Sequence, residues 1–368
     1  MKNILFIAKM SLFEDEISPN RFYFLNYLAN KPNIKILDDN PSNNLSSWLE
    51  EHKSTFKPDI IVYYFLTRIQ HLLKIELEDF DSARQKYRIP SIMVFEDSHY
   101  TKLVNAVYKY YKFEYFIHLN KNSNVISRLN QYNIPVYTWN QYIDVSKFNS
   151  NNVSQEKEYD FLFYGMVNEE VYPLRFKLYN ALKELQETHK DIRIKIIEHG
   201  GEYNKNLNPL PCQEELSKLI GKSRFSFSTS SVFDLFVKKY VEIPLSGATL
   251  IGNIPSNYED LLNNNIIIVN KHMSLPSIKE RLINAYEGKY IHIENNLKTF
   301  ADKLKKIYNY NTGYHDLNFM IEYILRYLHS PIKINQMPFK KMNMVPFNPS
   351  NIKKNSNYAK RNFMFKFK

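Results

Sequence analysis

Apolar residues in the first half of the chain gather into short runs, each followed by a stretch of helical or turn character. Residues 3–8 (NILFIA), 59–66 (DIIVYYFL), 90–95 (PSIMVF) and 115–119 (YFIHL) have the length and near-continuous apolarity of strands buried on both faces. Residues 134–139 predict one more. Helices are expected over 21–30, after the Ser18-Pro19-Asn20 turn, and from residue 120 to about 132. Residues 149–158 (NSNNVSQEKE) are almost wholly polar and break the pattern, which then restarts. Strands are predicted at 159–164, 192–197, 224–228, 249–252 and 265–270, and helices at about 174–188, 213–221, 236–245 and 277–286. Strands alternating with helices predict parallel sheets covered on both faces. The polar break makes two units of them: 1–148, a linker at 149–158, and 159–330, followed by a tail at 331–368.

Composition narrows the function classes. The chain has 368 residues and a net charge of +11, but the tail alone holds nine Lys and Arg and no Asp or Glu. The other 330 residues carry 40 basic and 38 acidic groups, so the body lacks the charge of a nucleic-acid groove. One cysteine, Cys212, excludes a disulfide framework and any cysteine-based zinc or iron–sulfur site. No apolar run reaches the ~18–20 residues of a membrane span. The start, MKNILFIAKM, is too short in apolar residues for a signal peptide, so a soluble cytoplasmic protein is expected. The excess of Asn, Lys, Ile, Tyr and Phe points to an AT-rich genome. All eight glycines lie between Gly165 and Gly313, and neither a Walker loop nor a G-x-G-x-x-G turn is present, which argues against P-loop NTPases, protein kinases and ordinary dinucleotide dehydrogenases.

Ligands of parallel α/β sheets sit beyond the carboxyl ends of the strands. In the second half those ends carry Gly165, His199-Gly200-Gly201 and Ser228-Thr229-Ser230-Ser231. Beyond the last lies DLFVKKYVEIPLSGATLIGNIP, in which Asp234 and Glu242 flank Lys238 and Lys239. Eight residues of helix turn through a net of about 80°, which would put both carboxylates on one broad face. A helix start after a Ser/Thr loop offers N–H groups and a dipole to phosphate, and a carboxylate further along can accept both hydroxyls of a ribose. These parts fit a nucleoside diphosphate.

Residues 239–255 (KYVEIPLSGATLIGNIP) resemble the donor-binding helix, glycine and strand of GT-B glycosyltransferases, closest to the group 1 or CgeB-like branch related to the retaining family 4 enzymes. Residues 159–182 resemble the opening strand and helix of the same domain, and 141–148 (QYIDVSKF) its interdomain hinge. The resemblance implies two facing Rossmann-like domains with parallel sheets and a cleft between them. It implies transfer of a sugar, hexosyltransferase-like, from a nucleotide-diphospho-sugar to a hydroxyl of a glycan, protein or lipid, retaining and without a metal or cofactor. Glu242 would hold the ribose, as the second acid of an E-x7-E pattern whose first place is filled here by Asp234. Lys239 or Lys238 and Arg175 would hold the diphosphate; Gly165 would approach the donor and Gly247 allow tight packing. His199, Gly200, Ser230 and Asp234 complete the expected donor side, with Asp234 and His199 at the sugar.

On the acceptor side, Asp97 and His99 follow the strand at 90–95, where a carboxylate or imidazole can act on an acceptor hydroxyl; Asp97 and Ser98 are equally good helix caps. Glu14-Asp15-Glu16 reads either as cleft-facing or as a solvated loop. Asp79-Phe80-Asp81 is formally a D-x-D pair, but it lies in a charged, helix-like stretch and not after a strand. No metal-ligand spacing is present. The basic, aromatic tail suits disorder, peripheral contact with an anionic membrane, docking on the first unit, or salt-sensitive contact with nucleic acid. The expected partners are a nucleotide sugar and its acceptor, with no specific nucleic acid. The rival reading is a non-catalytic GT-B-fold structural or glycan-binding protein.

Overall fold

A computed structural model describes residues 1–8, 19–38, 43–65, 77–95, 113–119, 136–152, 156–198 and 211–327. The first sheet is built from β1 (Ile4–Ala8), β2 (Ile34–Asp38), β3 (Ile60–Phe65), β4 (Ser91–Phe95), β5 (Tyr115–His118) and β6 (Val136–Thr138). Their order is β2-β1-β3-β4-β5-β6, and every pairing is parallel, with Ile4 opposite both Ile34 and Ile60. The second sheet contains β7 (Tyr159–Gly165), β8 (Ile194–Glu198), β9 (Ser223–Ser228), β10 (Thr249–Gly252) and β11 (Ile267–Ile268), in the order β11-β10-β9-β7-β8, again all parallel. The continuous apolar runs are explained by burial on both faces. In β1, Ile4, Phe6 and Ala8 enter one core cluster while Leu5 and Ile7 enter another. In β7, Phe161 and Phe163 face one way, Leu162 and Tyr164 the other.

Helices α1 (Pro19–Ala29), α2 (Leu45–His52) and α3 (Leu77–Tyr87) belong to the first unit, and α4 (Pro173–Thr188), α5 (Gln213–Gly221), α6 (Lys239–Leu245), α7 (Glu259–Leu262), α8 (Leu275–Tyr286) and α9 (Ile291–Tyr308) to the second. Asn44 caps α2 through its side chain, accepting from the Ser47 amide at 2.8 Å. Strand β2, α2, α7 and α9 are elements the sequence patterning did not single out; the expected helix at 120–132 lies outside the described residues.

The last helix, α10 (Tyr310–Tyr327), corrects the expected division of the chain. The polar break alone puts residues 310–327 in the unit 159–330, but Tyr310, Tyr314, Leu317, Met320, Ile321 and Ile324 pack in the core of the first sheet with Phe24, Trp139 and Tyr142. Gly313 permits this contact: a β-carbon there would lie 2.6 Å from Tyr142 Cδ2 and 2.9 Å from Phe24 Cζ. The first handover falls within the hinge expected at 141–148, ahead of the polar linker at 149–158. Tyr142 is in the first unit's core and Ile143 and Phe148 are in the second's. The two crossing segments are joined to each other: the Ile143 amide donates to the Tyr308 carbonyl at 2.7 Å, and Tyr142 donates from its hydroxyl to Asp316 at 2.7 Å. No described helix is long and apolar enough to cross a membrane. The tail at 331–368 lies outside the described residues.

Candidate functional site

The chain leaves β7 for β8 on one side, then returns to lay β9 on the other side of β7. This reversal makes the carboxyl ends of β7 and β9 the switch point of the second sheet, where flanking loops part and a ligand has room. β7 ends at Gly165, with φ +111°, a conformation that penalises any residue bearing a β-carbon.

Arg175 lies in the first turn of α4 and is only 6% exposed. Its Nε donates to Thr229 Oγ1 at 3.2 Å, one terminal nitrogen to the Met166 carbonyl at 3.3 Å and the other to the Thr229 carbonyl at 3.4 Å. The guanidinium carbon also stands 3.8 Å from the centre of the Tyr172 ring. Arg175 thus ties the loop after β7 to the loop after β9. Lys239, the first residue of α6, donates from Nζ to the Tyr164 carbonyl and lies 4.0 Å from the centre of the Tyr164 ring. A β-carbon on residue 165 would stand 2.5 Å from Lys239 Nζ and 3.9 Å from an Arg175 nitrogen, so the glycine leaves the space into which both cations point. Glu242 follows Lys239 by three residues on α6, on the same side of the helix, and is 4% exposed.

These charges act on each other. Burial, reinforced by the Arg175 charge, pushes the Lys239 ammonium well below its ordinary value, and Glu242 works in the opposite direction. Burial also lowers Arg175. Two cations and one carboxylate are therefore held in a partly desolvated site at the switch point. Desolvation strengthens their attraction for an incoming anion, because that anion would relieve the repulsion between Arg175 and Lys239.

Of the residues expected from the sequence, Gly165, Arg175, Lys239 and Glu242 come together here. Lys238 precedes α6, its carbonyl accepting from the amides of Val241 and Glu242. Ser230 is held by Asn253, whose side chain accepts from the Ser230 amide at 2.9 Å and donates to its hydroxyl at 2.6 Å. Gly247 lies past the opposite end of α6 from Lys239; at φ +86° it closes the helix, and its carbonyl accepts from Lys157 Nζ at 2.9 Å. Asp97, His99, His199, Gly200 and the run Glu14-Asp15-Glu16 lie outside the described residues.

Asp234 is a correction. The helix begins at Lys239 and not near 236, and Asp234 has φ +56°, which no α-helical residue adopts, so it shares no helix face with Glu242. In the D-x-D pair, Asp79 receives the Leu45 amide and the Ser46 hydroxyl, both at 2.6 Å, at the start of α2. Among the described residues no group of three or more His, Cys, Asp or Glu could hold a metal ion. Thr229 belongs to the Ser/Thr run expected at the end of β9, whereas sequence reading assigns no role to Asn253, although it stands just past the carboxyl end of β10, which is the signal that marks it.

No protein-family model matches the sequence, and no curated protein matches it. Solved structures do. HepE from Anabaena, in complex with UDP and glucose, aligns at a TM-score of 0.53 and 10% identity over 88% of this chain and all of the other. The α,α-trehalose 6-phosphate synthase of Burkholderia multivorans aligns at 0.55 and 9% identity, over 89% and 99% of the two chains. An α-glucosyltransferase in complex with UDP and a 13-mer DNA containing an A:G mismatch aligns at 0.51 and 12% identity, over 88% and 100%. At such identities the likeness shows the fold: this chain has the two-domain GT-B architecture, each domain a Rossmann-like parallel sheet.

Proposed function

We propose that this protein is a glycosyltransferase that moves a sugar from a nucleotide-diphospho-sugar to a hydroxyl acceptor. The observation that carries the proposal is the meeting of Arg175, Lys239 and Glu242 beside Gly165 at the β7/β9 switch point. Glu242 accepts the two ribose hydroxyls, and Arg175 and Lys239 hold the diphosphate. In the transfer, the bond from the sugar's anomeric carbon to the diphosphate oxygen breaks and a bond to the acceptor oxygen forms. The acceptor hydroxyl loses its proton, and the nucleoside diphosphate leaves with a full additional negative charge. Arg175 and Lys239 are aimed at that growing charge, which is the part of the transition state that a preorganised cation stabilises best. The two side chains offer the diphosphate its countercharge without a metal.

The neighbours solved with UDP or UDP and glucose support a uridine donor, and the segment at 239–255 supports the retaining, family 4-like course. One neighbour holds DNA, so nucleic acid joins glycan, protein and lipid among the acceptors, against the expectation of no specific nucleic acid. The test is release of free nucleoside diphosphate from UDP-, GDP-, ADP- and dTDP-sugars, with acceptors of each class, with EDTA and with Mg²⁺. Donor-dependent release abolished in Arg175→Met supports the proposal. Donor binding without release for any acceptor would favour the non-catalytic reading.

A further inference from the structure

The loop between β9 and α6 is fastened to its neighbours on both sides. Toward the loop after β7, the Val232 amide donates to the Val171 carbonyl at 2.9 Å, parallel to the Arg175 bridge to Thr229. Toward the loop after β10, Asn253 holds Ser230, and Tyr240 donates its hydroxyl to the Asn253 carbonyl at 2.8 Å. A further tie is Asp234. Its Oδ2 accepts from the Ser256 amide at 3.0 Å, and its own amide donates to the Ser231 carbonyl at 2.9 Å. Residue 234 sits at φ +56° and Asn257, next to Ser256, at φ +71°, so the bond joins two loops that are each in a left-handed turn. Aspartate and asparagine are among the few residues with a side chain that tolerate this backbone.

We infer that Asp234 is a positioning residue: its carboxylate fastens the β9–α6 loop to the β10–α7 loop, and through them sets Lys239 and Glu242, instead of contacting the transferred sugar. This rests on the donor-site reading only for its effect on ligand affinity; the fastening itself is a property of the ligand-free protein. Spacing alone gives Asp234 the place of a sugar-binding acid. The left-handed backbone and the engaged oxygen assign it to the scaffold.

Full-length Asp234→Asn and Asp234→Ala proteins separate the two roles. Asparagine keeps an acceptor for the Ser256 amide and keeps the tolerance for positive φ; alanine keeps neither. Hydrogen exchange at the Ser256 amide and across 230–238 should quicken in the alanine protein and stay near wild type in the asparagine protein. UDP affinity should fall about three- to ten-fold in Asp234→Ala, the net worth of one ordinary hydrogen bond, and less than two-fold in Asp234→Asn. Turnover should follow the same order, so the conservative variant rescues it. Unchanged exchange at Ser256 in the alanine protein would overturn the inference. So would an asparagine protein with normal exchange and normal UDP affinity but turnover as low as alanine's, since that marks a carboxylate acting on the sugar. If wild-type protein binds no UDP, the donor-site reading fails, and the exchange comparison alone still decides the fastening.

Discussion

Replacing Gly165 with alanine tests the site from its backbone. Two separate penalties meet at this position. A β-carbon at φ +111° is strained, by about 1–3 kcal/mol for a sparsely populated backbone region. The same atom would sit 2.5 Å from Lys239 Nζ, so the lysine must leave the Tyr164 carbonyl. That side chain is flexible at its tip and its charge is disfavoured by burial, so its escape is cheap in stability and expensive in binding. Chemical denaturation should show a loss of about 1–3 kcal/mol, nearly all of it backbone strain. UDP affinity should fall about ten-fold, the equivalent of one charge-assisted contact at roughly 1.4 kcal/mol. A double-mutant cycle with Lys239→Ala separates the parts. In the Lys239→Ala background, Gly165→Ala should still cost stability but should weaken UDP no further. Equal losses of affinity in both backgrounds, or none in either, would refute the placing of Lys239 over the ligand.

The depressed Lys239 ammonium gives the donor site a pH dependence with a definite sign. Below its pKa in the free protein the side chain is charged and attracts diphosphate; above it the side chain is neutral, so affinity falls as pH rises through that lowered value and before the ordinary lysine range. Binding above that pKa must take up a proton, which calorimetric titration of UDP in two buffers of different ionisation enthalpy reads directly. Constant affinity with no proton uptake up to the ordinary lysine range contradicts the placement. Gly313→Val should destabilise by about 1–3 kcal/mol in denaturant titration, because its β-carbon overlaps the Tyr142 and Phe24 rings where α10 meets the first unit. A neutral effect there would mean that α10 is not seated on that core.

How much of this was legible beforehand divides along physical lines. Strands such as β1 and β7 were readable because burial on both faces leaves a continuous apolar run. Lys239 and Glu242 were readable because a basic residue, an acid and a glycine stand in a fixed order from 239 to 247. The role of Asp234 was not, because eight-residue spacing implies a shared helix face only if the helix runs through both residues, and a left-handed residue breaks it. The seat of α10 was not legible either. The patterning did not single out α10, and even a helix-spaced apolar stripe such as Tyr310 to Ile324 does not say which of two sheets it covers. Asp79 shows the converse: a motif with a chemical reading is occupied by the start of a neighbouring helix.

The central claim is that the β7/β9 switch point binds a nucleoside diphosphate through Arg175, Lys239 and Glu242. Isothermal titration of UDP into full-length protein and into Glu242→Ala, both in EDTA, tests it most directly. The account predicts saturable binding to wild type, with Glu242→Ala folded by its melting profile and at least about ten-fold weaker, since a carboxylate accepting two hydroxyls contributes two charge-assisted hydrogen bonds. Equal affinity in the two proteins would contradict the assignment of Glu242, and no binding of UDP, GDP or ADP to wild type would contradict the site.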